Sequence, residues 1–172
     1  MSGLTFSKLA AGCVWWGVLW LELSAPVMAD GPLMPAQVPS VYKQECAACH
    51  TAYPPGLLPA ASWRRIMGGL DRHYGSDASL EPAQVQQVSA WLLAHAGTYK
   101  RVREEPPQDR ITRSAWFARK HREVEAAVWK RASIKSAAQC AACHTQAEQG
   151  NLMSTKFVYR VESTDHCIAT KD

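Results

Sequence analysis

The stretch CAACH at residues 46–50 recurs letter for letter at residues 140–144. A C-x-x-C-H run is the attachment signal of a c-type haem, with both thiols bonded to the porphyrin and the histidine bound to iron. Two copies predict two covalently attached haems, held through Cys46, Cys49, Cys140 and Cys143, with His50 and His144 as proximal iron ligands. Paired cysteines also form disulfides, hold zinc or exchange thiols. None of these explains why a histidine directly follows the second cysteine twice. A zinc ribbon with its halves 94 residues apart would also be odd in an exported chain.

Export is predicted from the amino terminus. Lys8 gives a short positive segment, and Leu9 to Leu21 is a 13-residue apolar run. Small and apolar residues then precede a cut after Ala29, in V-M-A-D. This is the layout of a secretory signal peptide over residues 1–29, and the run is short for a membrane span. Glu22 directly after the apolar core is unusual, and an uncleaved membrane anchor is the rival reading. The apolar segment continues well past Cys13, which argues against a lipid attached there. The haem reading with this leader predicts a periplasmic protein.

The remaining chain is long enough for one domain or two small lobes. Residues 30–102 form a first haem-binding half and residues 111–153 a second, joined by the charged, proline-bearing REEPPQDR at residues 103–110. A helix from Val41 to His50 should deliver the first pair of thiols. The prolines of YPPGLLP (53–59) force a loop. Ser62 is placed to cap a helix with apolar positions Trp63, Ile66, Met67 and Leu70. Another helix should run from Pro82 to Gly97, and a long one from Thr112 or Ser114 to about Lys130. A helix around residues 139–145 carries the second motif, and STKFVYRV (154–161), in a divergent tail of residues 154–172, has weak strand character. The expected fold is all-α, with much of its core supplied by the two porphyrins.

The distal side of each iron decides the chemistry. His73, His95, His121 and His166 are the nitrogen candidates, and Met67 and Met153 the thioether rivals. His73 lies 23 residues after His50, and His121 lies 23 residues before His144. His73 extends the Trp63–Ile66–Leu70 face, and His121 sits among Phe117, Val124 and Val128, so each imidazole is expected to project from an apolar helix face. A lone histidine on such a face is ordinarily core. Two irons needing partners favour His73 and His121 as ligands. His95 ends its helix, where a cationic tip beside the last carbonyls accounts for it. Met67 reads as core packing, Met153 follows the second haem motif in a Gly-Asn region, and His166 lies in the polar tail.

The run YKQECAACHTAYPPGLLPAASWRRIMGGLDRHYGSDASL, followed by WLLAHA, resembles the dihaem cytochrome c family of exported bacterial proteins. RITRSAWFARKH and SAAQCAACHTQAEQG resemble its second half. The resemblance implies small electron carriers with histidine on both sides of each iron, and makes His73 and His121 the distal ligands. It implies a membrane b-type cytochrome and a soluble, oxygen-binding c-type haem protein as partners. It assigns His95 no role, and the tail with His166 and Cys167 departs from the pattern.

Two imidazoles per iron leave no open site and imply a comparatively low reduction potential. A carrier is therefore expected, not an enzyme. The alternatives, a small dihaem peroxidase or reductase or a haem-based sensor, each need a labile distal ligand. The tryptophans read as porphyrin and core packing, and Tyr53 and Tyr74 as possible propionate partners by proximity alone. Charge is uneven: residues 100–135 hold eleven basic and five acidic side chains, a net +6 within an overall +4. That stretch fits either a solvated helix face or a dock for an acidic redox partner or anionic membrane surface. An exported haem protein makes nucleic acid a poor partner.

Overall fold

The computed structural model describes residues 33–152, in which four short α-helices and eight 3-10 turns are linked without a β-strand. Isolated bridges join Pro59 to Gly97 and His73 to Ser76. The helices are α1 (Ser40–Cys46), α2 (Ala60–Met67), α3 (Pro82–Ala94) and α4 (Ala115–Lys120). The fold is all-α, as the sequence predicts.

The best-anchored helix is α3. Glu81 and Gln84 form a reciprocal capping box, and Pro82 occupies a first-turn position where no N–H is needed. Val88 and Leu92 are buried between α1 and α2, in a core with Val41, Tyr42, Ala52, Leu58, Trp63 and Met67. Met67 is thus core packing, as its spacing implied. Trp63 donates its indole N–H to the Pro55 carbonyl at 2.8 Å, so its buried ring keeps a partner for its polar edge, and Trp91 donates to the Gln37 carbonyl at 2.9 Å. Leu92 is 1 % exposed, and Leu92→Ala should cost about 2–5 kcal/mol in guanidinium unfolding. A midpoint equal to that of the parent would show that α3 does not hold this core.

Several helices are shorter than their sequence pattern. The expected helix over Val41 to His50 stops at Cys46, because Ala47, Ala48 and Cys49 are exposed and no buried face extends it. Ser62 is not a cap: α2 starts earlier, after Pro59, and Ser62 is fully buried inside it. Gly68 and Gly69 end α2 at Met67, so Leu70 falls in a separate 3-10 turn, Leu70–Arg72. Ser114 does cap α4, its Oγ accepting the Phe117 N–H at 3.0 Å. That helix, however, ends at Lys120 instead of reaching Lys130. Between His121 and Val128 only Val128 is buried, so there is no apolar stripe to sustain more turns. The second motif forms only the 3-10 turn Cys140–Ala142. The expected strand at 154–161, together with Met153, His166, Cys167, Cys13 and the cut after Ala29, lies outside the described residues.

Residues 103–110 are fastened to the first half. Arg65 of α2 meets Glu105 at 2.6 Å and Asp109 at 2.7 Å. Tyr74 donates to the carbonyls of Gln108 (3.2 Å) and Asp109 (3.0 Å), and the Arg110 guanidinium lies 4.3 Å from the Tyr74 ring centroid. Gly97 closes the first half from the other end, donating to the Leu58 carbonyl at 2.8 Å. A β-carbon there would lie 2.7 Å from the Gly56 carbonyl oxygen and from Val102, so only glycine permits this approach.

Candidate haem sites

His73 reaches its position through a tight turn, not along a helix face. Its carbonyl accepts the Ser76 N–H at 3.0 Å across Tyr74 (φ +51°) and Gly75 (φ +101°). Two central residues with positive φ make a primed turn, which the Gly in H-Y-G-S accommodates. The Tyr74 hydroxyl, fixed on Gln108 and Asp109, holds the non-glycine member in place. An open cleft of about 240 Å³ borders His73, lined also by Arg65, Ile66, Arg72 and Tyr74.

His73 faces His50, with ring centroids 6.2 Å apart and planes inclined by 22°. His121 and His144 have ring centroids 6.1 Å apart, in an edge contact with planes at 83°. His73 thus lies beside His50, and His121 beside His144. A metal ion takes an imidazole nitrogen at about 2 Å, and the ring centroid lies about 1 Å further back. Two such rings on opposite faces of one ion would stand roughly 6 Å apart, the spacing found at both pairs.

Hydrogen bonding sets which nitrogen is available. A carbonyl only accepts, so Nδ1 of His50 must donate to Thr51 (2.7 Å) and Nδ1 of His121 to Phe117 (3.0 Å). In the neutral ring the lone pair then belongs to Nε2, the nitrogen a metal would take. Burial lowers the pKa of His73, His121 and His144 below the ordinary imidazole value. His50 and Arg110 add to the effect at His73, and His121 adds to it at His144. The bond to Phe117 opposes it at His121. These rings stay neutral near pH 7, as ligation requires.

His121 follows α4 directly as its C-cap, half-buried and stacked on Phe117 at 4.0 Å, with Trp129 at 5.8 Å. Neither distal histidine projects from the body of an apolar helix, because both helices end before reaching them. His95 is exposed at the end of α3, its Nδ1 bonded to Trp91 at 2.8 Å, and the ring beside it is Trp91.

Of the motif cysteines, Cys46 and Cys140 are half-buried and Cys49 exposed, all three as free thiols. Burial and the Glu45 carboxylate push the Cys46 thiol up to about 11, and burial raises Cys140 as well. Among the described residues no three His, Cys, Asp or Glu side chains cluster as a metal cage. Two protein ligands per site is what a porphyrin-held iron needs.

A model of the dihaem cytochrome c family matches residues 42–152. The chain belongs to the dihaem cytochrome c family. It is similar to the diheme cytochrome c from Rhodobacter sphaeroides, with 40% identity over 66% of this chain and 95% of that one, at a TM-score of 0.59. It is likewise similar to a diheme c-type cytochrome from Shewanella baltica, with 36% identity over 66% of this chain and 88% of that one, at a TM-score of 0.57. No protein with a curated description matches. As a dihaem cytochrome c the chain is an electron-transfer haem protein, and the residues just described fit two such groups.

Tyr53 is the residue whose position sequence reasoning missed. Neither it nor Tyr74 offers its hydroxyl proton to a propionate here, since both donate to backbone carbonyls. For Tyr53 the partner is Ala138, 85 residues away, a contact that no local pattern signals.

Proposed function

We propose that this dihaem cytochrome c is a periplasmic electron carrier, not an enzyme, with bis-histidine coordination at both irons. His50 and His73 hold the first, His144 and His121 the second, and Cys46, Cys49, Cys140 and Cys143 supply the thioethers. The observation that carries this reading is the two imidazole pairs, their centroids 6.2 and 6.1 Å apart. When bound, haem supplies a one-electron couple. The chain's contribution is to occupy both faces with neutral imidazoles, exclude other ligands, and fix each ring through its Nδ1 bond or its turn.

The amino-terminal signal layout supports export, and among the described residues no helix is long and apolar enough to cross a membrane. The partners are a membrane b-type cytochrome and a soluble c-type haem protein, as the family resemblance implies. Lys100 and Arg103, with Arg119, Lys120 and Arg122 at the end of α4, are exposed, and the Arg101 guanidinium lies 6.0 Å from the Trp116 ring of α4. This basic surface suits an acidic partner, and electron transfer to it should slow as ionic strength rises. Flat rates would leave these charges as solvated surface.

Intact mass and absorption spectra test the core of the proposal. The exported protein should have the mass of a chain beginning at Asp30 plus two haems. Its spectra should be low-spin, lack a methionine-to-iron band and stay unmoved by carbon monoxide. Carbon monoxide binding at half the haem would mean one labile distal position, and the enzyme and sensor readings would replace this one.

A further inference from the structure

The two motifs are 94 residues apart, yet one side chain touches both neighbourhoods. The Tyr53 ring stacks on the His50 imidazole, with centroids 4.7 Å apart and planes within 20°. Its hydroxyl donates to the Ala138 carbonyl at 2.8 Å, two residues before Cys140. Tyr53 is held in turn by Tyr42 of α1, whose hydroxyl donates to the Tyr53 carbonyl at 2.5 Å. We propose that Tyr53 is a positioning residue that brackets the two haem sites, orienting the first iron's histidine with its ring and fixing the second motif with its hydroxyl. This rests on the ligand assignment above.

The argument is geometric. His50 has one ring nitrogen committed to Thr51 and the other to iron, which leaves rotation about the ring's own tether to be limited by contact. A near-parallel ring stacked on it limits it, and Tyr53 supplies that ring. On the other side, residues 136–140 contain few buried groups, and short turns alone make weak anchors. A phenol bonded to one carbonyl there sets where the second motif begins relative to the first.

Two variants of the haem-loaded protein separate the functions of ring and hydroxyl. Tyr53→Phe keeps the stack and removes the bond, whereas Tyr53→Leu removes both. In Tyr53→Phe, amide exchange across residues 136–144 should accelerate about five- to tenfold, the effect of one net hydrogen bond. The low-spin paramagnetic-resonance signature of the first haem should remain. In Tyr53→Leu that signature should shift as well, because the plane of His50 is no longer held. Unchanged exchange in the Phe variant, or an unchanged signature in the Leu variant, overturns the bracket. The ligand assignment fails separately, in the parent protein, if its haems bind carbon monoxide.

Discussion

Alanine in place of His73 should make half of the haem bind carbon monoxide and leave the other half low-spin. The expectation follows from the pairing, since His73 is the imidazole facing His50 at 6.2 Å and His121 stands 6.1 Å from its own partner, His144. His121→Ala should reproduce the half-occupancy at the second site, and the double variant should bind two equivalents. Added imidazole should restore the low-spin spectrum in each case, because the cavity left by the ring accepts the free ligand. Carbon monoxide titration of the reduced proteins reads all of this. A single variant that takes up none would mean another side chain ligates, and His95 would be the first to replace.

Removing Cys140 and Cys143 together should lower covalent haem from two per chain to one, and removing Cys46 and Cys49 should do the same. Haem staining after denaturing electrophoresis, with intact mass, counts the attached groups. The two losses should differ in their structural cost. Val41, Tyr42, Leu58, Trp63, Met67, Val88 and Leu92 pack together around the first motif without help from the second. Around the second, the buried apolar side chains are few, chiefly Phe117, Val128, Ile134 and Ala147. The Cys140/Cys143 variant should therefore keep protected amides in α3 while residues 121–152 exchange freely. Equal protection in both halves would mean that the second half holds its shape by side-chain packing alone.

The sequence was most informative where chemistry is local. CAACH offers two thiols and an imidazole within five residues, and both copies lie inside the residues 42–152 that the family model matches. Pro82, Glu81 and Gln84 mark the start of α3 within one turn of chain. It misled where an apolar period had no buried surface to face. Phe117, Val124 and Val128 share a helical spacing, yet α4 ends at Lys120 because only isolated members of that series find a core. Likewise Trp63, Ile66, Leu70 and His73 share one helical face by spacing, but Gly68 and Gly69 break it. His73 still lies beside His50, and His121 beside His144, because a turn can place an imidazole as well as a helix can. Arg65 with Glu105 and Asp109, and Tyr53 with Ala138, were not legible at all, since each joins residues at least 40 positions apart.

The fastening of residues 103–110 bears on how such a protein can be taken apart. The repeated motif invites treatment of the chain as two exchangeable modules joined by a dispensable spacer. Yet the spacer's Asp109 and Glu105 neutralise Arg65, and its carbonyls hold the Tyr74 of the turn that presents His73. A cut within the spacer would leave the first module with a distal histidine on an unsupported turn. Grafting a different second module would do the same unless this octapeptide travelled with the first. For dissection or recombination, residues 103–110 belong with the first module.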